Sequence, residues 1–385
     1  MAVAGTGLGA GAHGPPQRGH RDAGARRGLS RFRRLLPAAT ALLLVARPVA
    51  AQTPATDDPL LDQQTALSAL ALPEAWATST GEGVRTAVLD SGAQADHPDL
   101  IGHLLAGDAI EDPGGTGTHA AGVIAAVTDN GVGIAGAAPD AEVLALDVLD
   151  DDGGLTPEAL ATGIAAATDA GAKVIALTLG GTEENLALIT DDAVRPALEA
   201  AVDAGVTVVG ASVDGNRLAD DLPLVTVGSG QDGPIDPGIV TVPAVGVLGT
   251  APLQPSTTWP EGTDGYETLD GRVPATALVA GTAALLAAQG LTPEEIADLL
   301  VGTAQNPDGD PALGAGTVDA ATAVAQAGTQ GAGGAVVPSA GGDDGLAPAA
   351  VGAIAVGAAV LAVGATVLIA GRRPRMRPGS DTPQG

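Results

Sequence analysis

Six short apolar runs recur along the chain, at residues 84–89, 142–149, 173–179, 206–211, 224–227 and 239–242, and Ala-rich stretches of helical spacing lie between the earlier ones. Each run has the length and apolar character of a strand buried on both faces, and the intervening stretches at 114–127, 157–170 and 193–204 repeat their apolar residues with helical spacing. Three further helices are expected at 275–289, 292–303 and 318–326. Thr156 before Pro157 is a helix start, and Thr292, Pro293 and Glu295 form a capping box. Strands that alternate with helices pair in parallel and need cover on both faces, so the expected fold is α/β with a central parallel sheet and helices on both sides. Aromatic residues make up 1% of the chain, namely Phe32, Trp76, Trp259 and Tyr266. The core must therefore be Ala, Val, Leu and Ile, which lets helices lie close to the sheet. No cysteine is present, which excludes disulfides and thiolate metal sites.

Charge divides the chain more sharply than hydropathy does. Eight arginines precede Gln52 and four follow Gly371, whereas the section between holds five basic residues against 43 acidic ones. Such a surface repels nucleic acid and anionic lipid and suits basic partners or bound cations. Residues 1–51 read as a signal peptide: an Arg-rich stretch, an apolar segment at 35–46, and Val49-Ala50-Ala51 as a small-residue cleavage pattern. An N-terminal extension at 52–66 leads into the folded domain at 67–327. A Gly/Ala-rich linker follows at 328–348. Residues 349–370 form a continuous apolar run long enough to cross a hydrocarbon core of about 30 Å. The arginine-bearing tail at 371–385 places that end in the cytoplasm and the acidic domain outside the cell.

The first strand ends on Asp90, with Ser91-Gly92 as a turn, and His97-Pro98-Asp99-Leu100 follows. An acid at the carboxyl end of a central strand stands where open α/β sheets carry their chemistry. Residues 67–327 resemble the subtilisin-like serine peptidases, whose acid stands in a strand followed by Asp-Thr/Ser-Gly and then His-Pro-Asp-Leu. The order of signal peptide, domain, linker, membrane helix and basic tail resembles the mycosins, membrane-anchored subtilases of type VII secretion systems. The resemblance implies a subtilisin-like fold and assigns Asp90 the acid position of a catalytic triad.

The other two triad positions depart from the family pattern. Gly115-Thr116-Gly117-Thr118-His119-Ala120-Ala121-Gly122 matches the stretch that carries the family's histidine, and Thr116 stands at that position. Counting back from Val279-Ala280-Gly281, the serine position holds Val273. Threonine has no basic nitrogen and valine has no nucleophilic atom. His119 and Thr276, each three residues further along a helix, are displaced by about 4–5 Å from the required places. His97 and His103 are expected at the surface. The oxyanion side chain falls on Asp214 in an ungapped match or on Asn216 with an insertion. Thr178, Leu179 and Gly180 match the family's Ser-Leu-Gly-Gly, whose backbone pairs with an extended peptide, or else they close an ordinary strand.

The family often binds calcium. Asp150–Asp152 offers oxygen atoms but lacks the spacing of a calcium loop and reads as a solvated turn, so no cofactor and no metal site is expected. These features lead to an extracellular, membrane-anchored pseudopeptidase that binds a peptide or protein, or serves as a scaffold beside a secretion machine. An active serine endopeptidase and an acidic cation-binding surface protein are the alternatives.

Overall fold

The first buried strand, β1 (Arg85–Asp90), sits near the middle of an eight-stranded, all-parallel sheet in the computed structural model. The structure describes residues 57–105, 111–150, 152–228, 235–306 and 308–333. The expected signal peptide, most of the linker, the membrane-spanning run and the basic tail lie outside the described residues. Among the described residues, no helix is long and apolar enough to cross a membrane.

Two short helices, α1 (Thr65–Ala69) and α2 (Leu72–Ala75), precede β1. After β1 come β2 (Leu104–Leu105), α3 (Thr116–Ala125), β3 (Glu142–Asp147), α4 (Pro157–Asp169) and β4 (Val174–Leu177). The short α5 (Glu183–Ala187) leads to α6 (Arg195–Asp203), β5 (Thr207–Ala211), β6 (Val225–Gly228) and β7 (Val240–Thr241). A separate antiparallel pair, β8 (Val247–Thr250) and β9 (Tyr266–Leu269), precedes α7 (Arg272–Ala287), α8 (Pro293–Thr303), β10 (Gly316–Thr317) and α9 (Ala320–Gly333).

The strand order in the large sheet is β10-β7-β6-β5-β4-β1-β3-β2. β1 pairs with β3 on one side and β4 on the other, both in parallel. The chain therefore turns outward in opposite directions from β1, and the crevice beyond its carboxyl end is the switch point of the sheet. The two apolar cores lie on opposite faces. One joins α2, α3, α7 and α9, and the other joins α4, α5 and α6. The expected parallel sheet with helices on both faces is what forms.

The scarcity of aromatic residues sets how closely α3 and α7 approach. Every residue of α3 is buried, and so is α7 from Val273 to Leu286. A Cβ added at Gly281 of α7 would come within 2.5 Å of the Ala137 Cβ and 3.5 Å of the Ile124 carbonyl oxygen. No side chain can enter that space without separating the two layers. Gly281→Val should destabilise the fold by about 1–3 kcal/mol through overpacking, measured as a lower urea midpoint with an unchanged slope.

Candidate functional site

Asp90 is fully buried, so its carboxylate must be matched by donors from the surrounding elements. Oδ1 accepts from the backbone N–H of Ser91 at 2.9 Å and from the Thr116 hydroxyl at 2.6 Å. Oδ2 accepts from the backbone N–H of Gly180 at 3.0 Å. Thr116 is the first residue of α3, entered through Gly115 at φ 93°. The position that the family resemblance gives to an imidazole thus presents a hydroxyl to the acid, at hydrogen-bond distance.

A second carboxylate supports this one, and the sequence reading missed it. Asp112 Oδ1 accepts from the Ser91 hydroxyl at 2.6 Å and from the Gly115 N–H at 2.8 Å, and Oδ2 accepts from the Thr118 N–H at 2.6 Å. The Ser91 hydroxyl also lies 3.3 Å from Asp90 Oδ1, but it has one proton, and the shorter contact to Asp112 takes it. Asp112 caps the first turn of α3 from outside the helix and meets the positive end of its dipole. Burial, and then the neighbouring charge of Asp90, push its carboxyl above the usual aspartate range. The only trace in the sequence is an acid four residues before Thr116.

Val273 is the second residue of α7 and is almost fully buried. It packs against the Gly180-Gly181 turn: a Cβ added at Gly181 would lie 2.8 Å from the Val273 Cγ2. Asp90, Thr116 and the 179–181 turn therefore converge, with Val273 closing on the turn from α7. His119 and Thr276 belong to other surroundings. Thr276 is buried with no partner for its hydroxyl, and His119 faces Gly249 and Trp259.

Several expectations need correction. β4 ends at Leu177 rather than 179, because Leu179 (φ 50°) and Gly180 (φ 67°) leave extended geometry and form a 3-10 turn. The Thr178 hydroxyl donates to the Leu89 carbonyl at 3.2 Å, and Asn185 Nδ2 donates to the Leu179 carbonyl at 3.1 Å. Together with the Gly180 N–H on Asp90, these bonds fasten the 178–181 turn to the end of β1 and to α5. His97 is not at the surface. It is fully buried, edge-on to Tyr266 at a centroid distance of 5.3 Å. Its Nδ1 accepts from the Asp99 N–H at 3.2 Å, so its Nε2 carries the proton and donates to the Gly265 carbonyl at 2.7 Å. Burial holds its pKa below the ordinary histidine value. His103 is half-buried, with Nδ1 3.0 Å from the Ala125 carbonyl oxygen.

Asp214 and Asn216 are exposed residues of the turn after β5. Asp214 has φ 51°, and Asn216 Nδ2 lies 3.4 Å and 3.3 Å from the carbonyls of Val213 and Asp214, within its own turn. Asp150 Oδ1 accepts from the N–H groups of Asp152 and Gly154 at 3.0 Å and 2.7 Å. Its Oδ1 thus holds the turn, and no cluster of three metal-ligating side chains occurs among the described residues. Beside Asp112 opens a cleft of about 610 Å³, walled by Gln94, Asp96, Glu111, Pro252 and Pro255.

Comparison with known proteins fixes the family. The subtilase family model matches residues 81–242, a stretch that ends before α7. Thermitase of Thermoactinomyces vulgaris is 36% identical over 249 residues, which cover 62% of this chain and 86% of thermitase. The chain belongs to the subtilase family. Among solved structures, a protease of Pseudoalteromonas arctica shares 29% identity at a TM-score of 0.57, over 72% of this chain and all of that one. MycP1 of Mycobacterium smegmatis has the same fold at 22% identity and a TM-score of 0.51, over 67% of this chain and 83% of that one. Within this subtilase fold, the Thr116–Asp90 bond is testable by itself. Thr116→Val keeps the shape but removes a donor from a buried carboxylate, and should lower stability at pH 7 by about 1.5–3 kcal/mol. In an Asp90→Asn background the same change should cost less, as read by denaturant titration of the four chains in a double-mutant cycle.

Proposed function

We propose that this subtilase does not hydrolyse peptides and acts instead by binding a peptide or protein. The observation that carries the reading is the 2.6 Å bond from the Thr116 hydroxyl to Asp90 Oδ1. Triad chemistry needs a base to take the serine proton, an acid to orient that base, and donors for the oxyanion. A threonine hydroxyl donating to the acid has no basic nitrogen with which to accept a proton. At the nucleophile position the resemblance puts Val273, whose methyl group closes on Gly181.

The partner that suits this molecule is basic. The section between the two arginine-rich ends carries 43 acidic and five basic residues, and the cleft beside Asp112 is bordered by Asp96 and Glu111. Complementary charge of this kind speeds encounter and suppresses acidic competitors. The segment order in the sequence supports a domain held outside the cell by one membrane helix, with a scaffold role beside a type VII secretion machine. That last step rests on the likeness of architecture to mycosins.

A fluorophosphonate probe tests the reading. The chain should remain unlabelled under conditions that label an active subtilase. Thr116→His combined with Val273→Ser should gain labelling, and adding Asp90→Ala to that pair should abolish it. Labelling of the unmodified chain that disappears with Asp90→Ala would establish an active endopeptidase instead.

A further inference from the structure

His119 has no part in the site described above, yet it is completely buried in α3 and neither ring nitrogen has a hydrogen-bond partner. On one side the ring presses on β8, where a Cβ added at Gly249 would come within 2.5 Å of Cε1. On another it faces Trp259, with ring centroids 6.1 Å apart. Trp259 belongs to residues 251–265, a strap that joins β8 to β9. The strap lies over the head of α3. Leu253 N–H donates to Gln94 Oε1 at 2.7 Å, Thr257 N–H to the Pro113 carbonyl at 2.8 Å, and Thr258 N–H to the Gly114 carbonyl at 3.0 Å. The Trp259 ring covers Gly115, whose added Cβ would meet it at 3.0 Å. Thr116, the donor to Asp90, is the next residue.

We propose that His119 is an acid sensor for this strap: neutral, it lets Trp259 clamp the strap over the head of α3, and protonated, it expels Trp259 and frees the strap.

The physical argument is one of desolvation. A protonated imidazole in this pocket would carry a unit charge cut off from water, and of its two N–H donors at most one would find an acceptor, the Thr250 backbone. The ionisable groups on the surrounding elements are Arg85 and Asp90 on β1, Asp112 before α3, Glu142 and Asp147 on β3, Tyr266 and Glu267 on β9, the latter opposite Gly249, and Arg272 at the head of α7. The strap adds Glu261 and Asp264. None of them offsets the loss of water. Burial lowers the pKa of the ring to about 4, and the Thr250 backbone is the one group that favours the charged form. Opening the strap is the least disruptive way to wet the ring. Its other walls are α3 and β8, both in the core, whereas residues 253–255, 257, 260 and 261 of the strap are exposed.

With the strap open, the ring titrates near its ordinary value of 6.5, and closure lowers this to about 4. The closed form is therefore fully favoured above pH 6.5. Its advantage falls about tenfold per pH unit below that, to a total of about 300-fold. His97, which donates to Gly265 at the far end of the strap, also has a lowered pKa, and the experiment has to separate the two histidines.

The two tryptophans make the test direct. In the full chain labelled with 5-fluorotryptophan, the fluorine resonance of Trp259, assigned by Trp259→Phe, should shift as the pH falls from 7.5 to 4.5. Trp76 and the far-UV circular dichroism should stay constant. Hydrogen exchange, corrected for intrinsic rates, should show residues 251–265 losing protection before α3 and α7. His119→Gln should abolish the Trp259 shift, and His97→Gln should leave it. A shift that survives His119→Gln, or a resonance that stays fixed down to pH 4.5, would overturn the proposal. If His119→Gln does not fold, exchange on the unmodified chain decides: earlier opening of the strap supports the proposal, and loss of strap and core together refutes it.

Discussion

A carboxylate with no access to water is the constraint around which this molecule is arranged. Asp90 stands at the carboxyl end of β1, where neighbouring connections leave on opposite faces of the sheet. A buried charge of this kind is tolerable only when its lone pairs meet donors. Those donors come from three separate parts of the chain: the Ser91 N–H, the first side chain of α3, and the Gly180 N–H after β4. Satisfying Asp90 therefore fastens α3 and the 179–181 turn to the end of β1. Asp112 extends the arrangement by holding the Ser91 hydroxyl and two N–H groups at the start of α3.

The small-residue core makes such close fastening achievable. With aromatic residues at 1%, Ala and Gly form much of the contact between α3, α7 and the sheet, and backbones approach closely. The close approach brings the head of α7 against the 179–181 turn, so that Val273 meets Gly181. Trp76 is the large aromatic group of this core, where its ring N–H donates to the Ala137 carbonyl at 3.0 Å. Trp259 rests on Gly115 beneath the strap, and Tyr266 meets His97 edge-on.

Strand and helix periodicity was readable wherever an element is long and one of its faces is apolar. β1, β3, β4, β5 and most helices follow from it. β6 and β7 fall on the shorter apolar runs at 224–227 and 239–242, whereas β2 and β10 are two residues long with no such run around them, and only neighbouring strands define them. β8 and β9 pair across a long strap, so no turn signal marks them as a hairpin. The misplaced end of β4 has a local cause: Leu179 looks like one more apolar strand residue, but its backbone turns left-handed to deliver the Gly180 N–H to Asp90. The burial of His97 depends on Gly265, 168 residues away, and no local pattern records that contact.

The sequence by itself determined the α/β class, the family, the place of Asp90 at a strand end and the residue types at the flanking positions. These follow from local periodicity and from motifs read in order along the chain. The tertiary structure alone decided what each of those residues faces. It brought the Thr116 hydroxyl to Asp90, recruited Asp112, turned Leu179 and Gly180 inward and sealed His119 beneath Trp259. The physical reason is that hydrogen-bond partners and desolvation are properties of a residue's surroundings in space, and here those surroundings come from segments far apart in the chain.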